Sequence, residues 1–217
     1  MNSFTRRPAL LAGVLMIVLA GLVLSACGGS DSSSSSTGEP NGTDRAFATE
    51  MVDHHQMAIE MATVAQDRAT RPQIKALANN IITAQKQEIA QLKAADQKLA
   101  SNDVKARDLG LSDAMMGMDM DNSMLMTTKA FERMFIDMMV PHHQGAIRMA
   151  RAQLAKGRDP QLRTLAQAVI AAQSKEIEQM NSWRVSWYGA ESPSGGVPAA
   201  DEDMDPQMES HGSDHGM

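Results

Sequence analysis

The sequence predicts an all-α fold, a four-helix bundle built from two copies of one helical hairpin. Three observations predict it. The first is an internal repeat: Met51-Val-Asp-His54-His55-Gln56-Met57-Ala58-Ile59-Glu60-Met61-Ala62 recurs as Met139-Val-Pro-His142-His143-Gln144-Gly145-Ala146-Ile147-Arg148-Met149-Ala150, 88 residues later. Over 47–93 against 135–181, 20 of 47 positions are identical, too many for two unrelated amphipathic helices. The second is apolar periodicity of about 3.6 residues in both copies, with no stretch alternating like a strand. The third is punctuation: Pro72 and Asp159-Pro160 open helices, and Tyr188-Gly189 closes one.

Each segment follows in order. Arg6-Arg7 and the apolar run Leu10 to Leu24 lead into Leu24-Ser25-Ala26-Cys27-Gly28, which reads as a lipoprotein signal peptide over 1–26 with lipidation at Cys27. The apolar run is short for a membrane span. Residues 27–43 are rich in Ser and Gly and read as a flexible tether. A first helix is expected from about Asp44 to Arg68 and a second from Pro72 to about Ala100. Residues 101–126 form a Met-rich connection. A third helix is expected from about Thr127 to Lys156, and a fourth from Pro160 to about Tyr188. The bundle thus covers 44–188, with repeats at 44–100 and 127–188. The rest, 189–217, is Pro, Gly, Ser and acid, and is expected to be disordered. The connection has the length of either a crossover, as in ferritin-like bundles, or an ordinary loop.

Composition narrows the function classes. The formal net charge of −6 disfavours nucleic acid as a partner and mildly favours cations. The single cysteine is consumed by the lipobox, which excludes an internal disulfide, a thiolate metal site and thiol catalysis. Aromatic residues make up only 3%, so Ala, Leu, Ile, Val and Met must fill the core. No His-Glu-x-x-His, nucleophile elbow or phosphate-cradling glycine loop is present.

On a helical projection Phe47, Met51, His54, Ala58, Met61 and Ala65 share one stripe, with His55 at its edge. Phe135, Met139, His142, Ala146 and Met149 repeat it, with His143 at the edge. Imidazoles therefore stand where an ordinary bundle uses leucine. On the second and fourth helices Gln85 and Glu88, and again Gln173 and Glu176, interrupt apolar stripes. Buried polar groups of this kind are costly unless paired or metal-bound. Two readings compete. In one, His54 and His142 are core histidines satisfied by Glu88 and Glu176 or by each other. In the other, His54, His55, His142 and His143, with Met51, Met57, Met61, Met139 and Met149, are metal ligands, and Glu88 and Glu176 support them. For the methionines the plain alternative is core packing.

A second thioether cluster lies in the connection: Met115, Met116, Met118, Met120, Met124 and Met126. Gly, Asp, Asn and Ser are interspersed, unlike an apolar core segment. Thioethers are soft, uncharged ligands that favour Cu(I) or Ag(I) over Zn(II) or Mg(II). The tail repeats the theme with Met204, Met208, His211, His215 and Met217.

The doubled Met-Val-x-His-His-Gln-x-Ala-Ile-x-Met-Ala, followed by Gln-x-x-Glu-Ile, resembles the bacterial domain of unknown function 305 family. The resemblance implies a ferritin-like four-helix bundle in exported proteins, some of which bind copper and are linked to copper tolerance. It places the motif on His54, His55, Met57 and Met61, and on His142, His143 and Met149; Gly145 stands where the first copy has Met57. The expectation is a lipid-anchored protein on the outer face of the cytoplasmic membrane that buffers, scavenges or chaperones copper, as Cu(I) or Cu(II), or silver. The alternatives are a ferritin-like di-metal protein, a haem protein with His/Met ligands, and a metal-free structural or partner-binding bundle. None of the four histidines has an acidic residue three positions before it, so the Glu-x-x-His motif of di-iron bundles is missing.

Overall fold

The computed structural model describes residues 38–200. The signal peptide, Cys27, the tether up to residue 37 and the Met/His residues of the tail, Met204 to Met217, lie outside the described residues.

All regular structure among the described residues is helical: α1 (Gly42–Arg68), α2 (Pro72–Ser101), α3 (Asp113–Met116), α4 (Ser123–Thr127), α5 (Phe131–Lys156) and α6 (Pro160–Tyr188). Helix α1 starts at Gly42, two residues before the expected Asp44, because Asn41 caps it. The Asn41 side chain accepts from the Thr43 and Asp44 amides, and the Asp44 carboxylate accepts from the Asn41 amide at 2.7 Å. Asp159 caps α6 in the same way, with Pro160 in the first turn, and Gly189 closes it in the left-handed region at φ 84°.

The third long helix begins at Phe131, later than the expected Thr127. Thr128 is extended, at ψ 141°, and its hydroxyl accepts the Ala130 amide, so the chain turns before α5 can start.

The four long helices pack as a bundle, α1 on α2, α5 on α6, α1 on α5 and α2 on α6. Two apolar clusters fix their directions. One joins Ala58 to Ala65 of α1, Ile74 to Ile81 of α2, Phe131 to Val140 of α5, and Ile177 and Met180 of α6. The other joins Ala46 to Met51, Leu92 and Leu99, Ala146 to Ala150, and Leu162 to Val169. Each hairpin is therefore antiparallel, whereas α2 and α5 run the same way. The connection 102–130 must return along the length of the bundle, so it is a crossover, and α3 and α4 form on that return path.

The repeat is visible in how the hairpins lock. Asp44 is fully buried and accepts from Gln153 Nε2 at 2.6 Å and from the amides of Arg158 and Asp159, at 2.8 and 2.9 Å, in the α5–α6 turn. Its counterpart 88 residues on, Glu132, accepts from the amides of Thr70 and Arg71 in the α1–α2 turn, at 2.7 and 3.3 Å. Each hairpin's first helix thus holds the other hairpin's turn. Asp44→Ala strands several buried donors and should lower stability by about 3 kcal/mol, since each unsatisfied buried group costs about 1–3 kcal/mol. Urea unfolding checks this; a loss below about 1 kcal/mol would show that water replaces the carboxylate.

The region after α6 requires a correction. Residues 189–200, expected to be disordered, form a fixed strap. Asn181 bonds the Gly195 carbonyl and the Ser192 amide, Gln144 bonds the carbonyls of Ser194 and Gly196, and Arg151 bonds those of Pro198 and Ala199. Val197 packs on the core. Composition reported low hydrophobicity correctly, but side-chain amides on α5 and α6 satisfy this strap's backbone.

Candidate metal centre

The two apolar clusters part at one level of the bundle, and the polar residues of all four long helices fall there. On α1 the gap between Met51 and Ala58 holds His54 and His55; on α5, that between Val140 and Ala146 holds His142, His143 and Gln144. On α2 it holds Gln85 and Glu88, and on α6, Gln173 and Glu176.

Where α1 and α5 face each other, the His54 and His142 rings meet with centroids 3.8 Å apart and planes at 40°. All four histidines are 0% exposed, including His55 and His143, which were expected at the stripe edges. The edge pair does not face solvent because each turns toward its own hairpin partner. His55 Nε2 lies 2.7 Å from Glu88 Oε2, and His143 Nε2 lies 2.7 Å from Glu176 Oε2. The second contact is a hydrogen bond; the first is as short but misaligned for one. The glutamates therefore serve the outer histidines rather than the central pair, which corrects the reading that joined His54 and His142 to Glu88 and Glu176.

The central pair is left with nitrogens to spare. His54 Nε2 donates to the Met116 carbonyl at 2.9 Å, which fixes the tautomer and leaves Nδ1 as an unprotonated, unpartnered lone-pair donor. Neither nitrogen of His142 has a hydrogen-bond partner, and the Nδ1 atoms of His55 and His143 are also unpartnered. Burial, reinforced by the neighbouring His55, pushes His54 down to about 3. Burial and the facing His54 hold His142 well below its ordinary value. Both rings are therefore neutral in ordinary buffers and carry lone pairs with no proton competing for them.

Methionines flank this layer on both sides. Met61 and Met139 are fully buried in one apolar cluster, with Met57 partly buried beside it; Met51 and Met149 are fully buried in the other. The connection adds Met116, buried, and Met115, Met118 and Met120, half-buried. Met124 and Met126 are 47% and 60% exposed, so the six-methionine cluster is not one site. Among the described residues no three His, Cys, Asp or Glu side chains converge as a metal-binding group. Any ion held here needs thioether or backbone ligands beside the imidazoles.

Sequence reasoning missed two glycines that seat α3 over the centre. A Cβ on Gly145 would fall 1.8 Å from the Met116 carbonyl oxygen, and one on Gly117 (φ 66°) would fall 2.5 Å from that of Pro141. The departure of Gly145 from Met57 in the other copy is thus the signal: the side chain is absent because a backbone lies there. Gly145→Ala should force α3 outward, break the His54 to Met116 contact and cost about 2–3 kcal/mol. Faster peroxide oxidation of Met116, located by mass spectrometry, would report the lifting; wild-type stability and oxidation rate would refute it.

With this geometry in hand, likeness to other proteins is informative. The family described as Domain of unknown function (DUF305) matches residues 44–184 and again 132–217. The chain belongs to this family. The two overlapping matches fit the duplicated hairpin of this DUF305 chain. A 57-residue stretch is 37% identical to Uncharacterized protein L153 of Acanthamoeba polyphaga mimivirus, over 25% of this chain and 38% of that one. The chain spans well under half the length of that curated relative. Among solved structures, CopM in its Cu(I)-bound form is 38% identical, with TM-score 0.58, over 67% of this chain and 98% of that one. CopM in a silver-bound form obtained by soaking is 37% identical, with TM-score 0.58, over 67% and 97%. The DUF305 protein of Streptomyces coelicolor is 25% identical, with TM-score 0.59, over 70% and 96%.

Proposed function

We propose that this DUF305 protein binds copper, or silver, inside the bundle and serves as an extracytoplasmic buffer, scavenger or chaperone for it. One observation carries the reading: two neutral, fully buried imidazoles face each other at 3.8 Å with lone pairs that no protein group uses. Orphaned buried nitrogens are destabilising unless something binds them. His54 Nδ1 and His142 would supply the first ligands, and thioethers from Met51, Met61, Met139 or Met149 would complete a soft set suited to Cu(I). His55 and His143, oriented by Glu88 and Glu176, would join or support the ligands, as carboxylates commonly support ligating histidines. The exposed Met124 and Met126 would form a separate, weaker site. That CopM is solved with Cu(I), Cu(II) and silver supports the cargo.

The ferritin-like arrangement belongs to the same proposal, since α2 and α5 are parallel and joined by a crossover. So do export and the lipid anchor at Cys27. Among the described residues no helix is long and apolar enough to cross a membrane, and the Streptomyces coelicolor relative is considered a secreted protein. The di-metal reading lacks its carboxylates, because no such cluster exists among the described residues.

Anaerobic titration of the full chain with Cu(I) or Ag(I), in competition with a chromophoric chelator, tests the function. Binding tighter than about 1 μM is expected. Nothing tighter would reduce the layer to a hydrogen-bonded core.

A further inference from the structure

The chain leaves the bundle through a ring of basic side chains. Arg158 packs against Gly38, the first described residue, and Arg107 packs against Gly42. The Asn41 side chain donates to the Lys156 carbonyl at 2.8 Å, and the Arg107 amide donates to the Gly42 carbonyl at 2.9 Å. Lys105 brings its own carbonyl against Gly42. Lys98 stands in the last turn of α2 at the same end. The side chains of Lys98, Lys105, Arg107, Lys156 and Arg158 are all exposed.

The exposed acids there cancel them only in part. Asp44 and Asp159 are buried and accept backbone amides, and Asp96 pairs with Arg45 at 2.8 Å. Asp108, next in sequence to Arg107, is exposed as well, and lies near enough to Glu50 to raise its pKa. Glu39, Asp103 and Asp108 are the exposed acids beside the five cations, so the exposed groups of this end keep a positive excess in a chain whose net charge is −6.

We propose that this basic end docks on anionic phospholipid headgroups, so that the bundle stands tether-end down on the membrane. The inference rests on the lipid anchor at Cys27. Residues 27–37 span at most about 40 Å when fully extended. An acyl chain at Cys27 would therefore hold the ring close to the bilayer. There, basic residues interact with anionic lipid within a Debye length of about 10 Å. A single acyl attachment binds weakly on its own, and a basic patch is the kind of second signal that steadies it.

The test uses lipidated full-length chain reconstituted in vesicles of phosphatidylcholine alone or enriched in phosphatidylglycerol. Lipidation leaves no other free thiol, so Ser101→Cys carries a fluorophore at the basic end and Asp67→Cys carries one at the opposite end. Spin-labelled headgroups should quench the label at 101 far more than that at 67, only with phosphatidylglycerol and only at low salt. Lys105→Gln, Arg107→Gln, Lys156→Gln and Arg158→Gln together should weaken that docking at least roughly tenfold, given about fivefold per basic residue engaged. Equal quenching in pure phosphatidylcholine would overturn the proposal, because the tether alone would then account for it. Deletion of 201–217, a segment with six acids and no Lys or Arg, should preserve or strengthen the docking, and loss of the salt-sensitive quenching on that deletion would also overturn the proposal. The anchor is read separately, from the mass of the Cys27 peptide. If that peptide carries no lipid, salt-sensitive pelleting of the chain with phosphatidylglycerol vesicles still supports docking, and failure to pellet refutes it.

Discussion

Replacing His54 and His142 together by alanine is expected to lower Cu(I) affinity at least about 100-fold, because removing even a supporting partner of a metal ligand costs roughly 10- to 100-fold. Among the described residues the two rings are the imidazoles in closest contact, tilted with centroids 3.8 Å apart, whereas the rings within each helix's own pair stand 6.2 and 6.3 Å apart. Glu88→Gln and Glu176→Gln should have a smaller effect, about tenfold, because those carboxylates touch His55 and His143 and not the central rings. Met124→Ala and Met126→Ala should leave the tight site unchanged, since both side chains lie largely in water. Chelator competition gives the affinities, and far-UV circular dichroism confirms that each variant keeps its helices. If the double histidine variant binds Cu(I) as wild type does while the exposed methionines account for the affinity, the interior site is refuted. The protein would then be a surface thioether binder.

The repeat made most of this legible before any coordinates. Four long helices, their pairing and the inward direction of His54 and His142 all follow from periodicity and from the 88-residue offset. What periodicity could not supply was distance. Glu88 lies on a stripe that both histidines of α1 border, and only the packing of α2 on α1 shows that it reaches His55. The crossover was open because a 29-residue connection, 102–130, fits either topology; the shared cluster of Ile74 to Ile81 with Phe131 to Val140 decides it. Gly145 and Gly117 were missed because a glycine, whether inside a helix pattern or in a connection, gives no hint of which backbone will approach it. The reciprocal clamp was nearer to hand. Extending the repeat three residues upstream aligns Asp44 with Glu132, two acids at helix starts, and the turns they hold keep the same offset. Charge type was preserved there while identity was not, so an identity count passes over it.

The metal-free protein should unfold in mild acid. In the unfolded chain a histidine takes up a proton near 6.5, whereas folded His54 does so only near about 3. Between these values the unfolded state binds more protons, so stability falls as pH falls. Well above 6.5 both states are neutral and this contribution is fully present; from pH 6.5 to 4.5 His54 alone should lose about 2 kcal/mol. His142 shifts in the same direction and adds to the loss. Glu132, whose hydrogen bonds from Thr70 and Arg71 outweigh its burial and lower its pKa, extends the decline at more acid pH. Glu50, raised by burial and by Asp108, works the other way. Set against a typical domain stability of about 5–15 kcal/mol, the histidine contribution is enough to bring the unfolding midpoint toward pH 4. Circular dichroism against pH checks this. His54→Leu with His142→Leu should flatten the curve between pH 6.5 and 4.5 while leaving the bundle folded; an unchanged curve would mean that these rings already carry protons in the native state. Cu(I) or Ag(I) at 100 times its Kd should restore about 2.7 kcal/mol, by binding only the folded chain, and move the midpoint to lower pH. The same burial that makes the empty layer costly in acid keeps its lone pairs free at neutral pH. Acid sensitivity and metal affinity should therefore be lost together in the leucine variant.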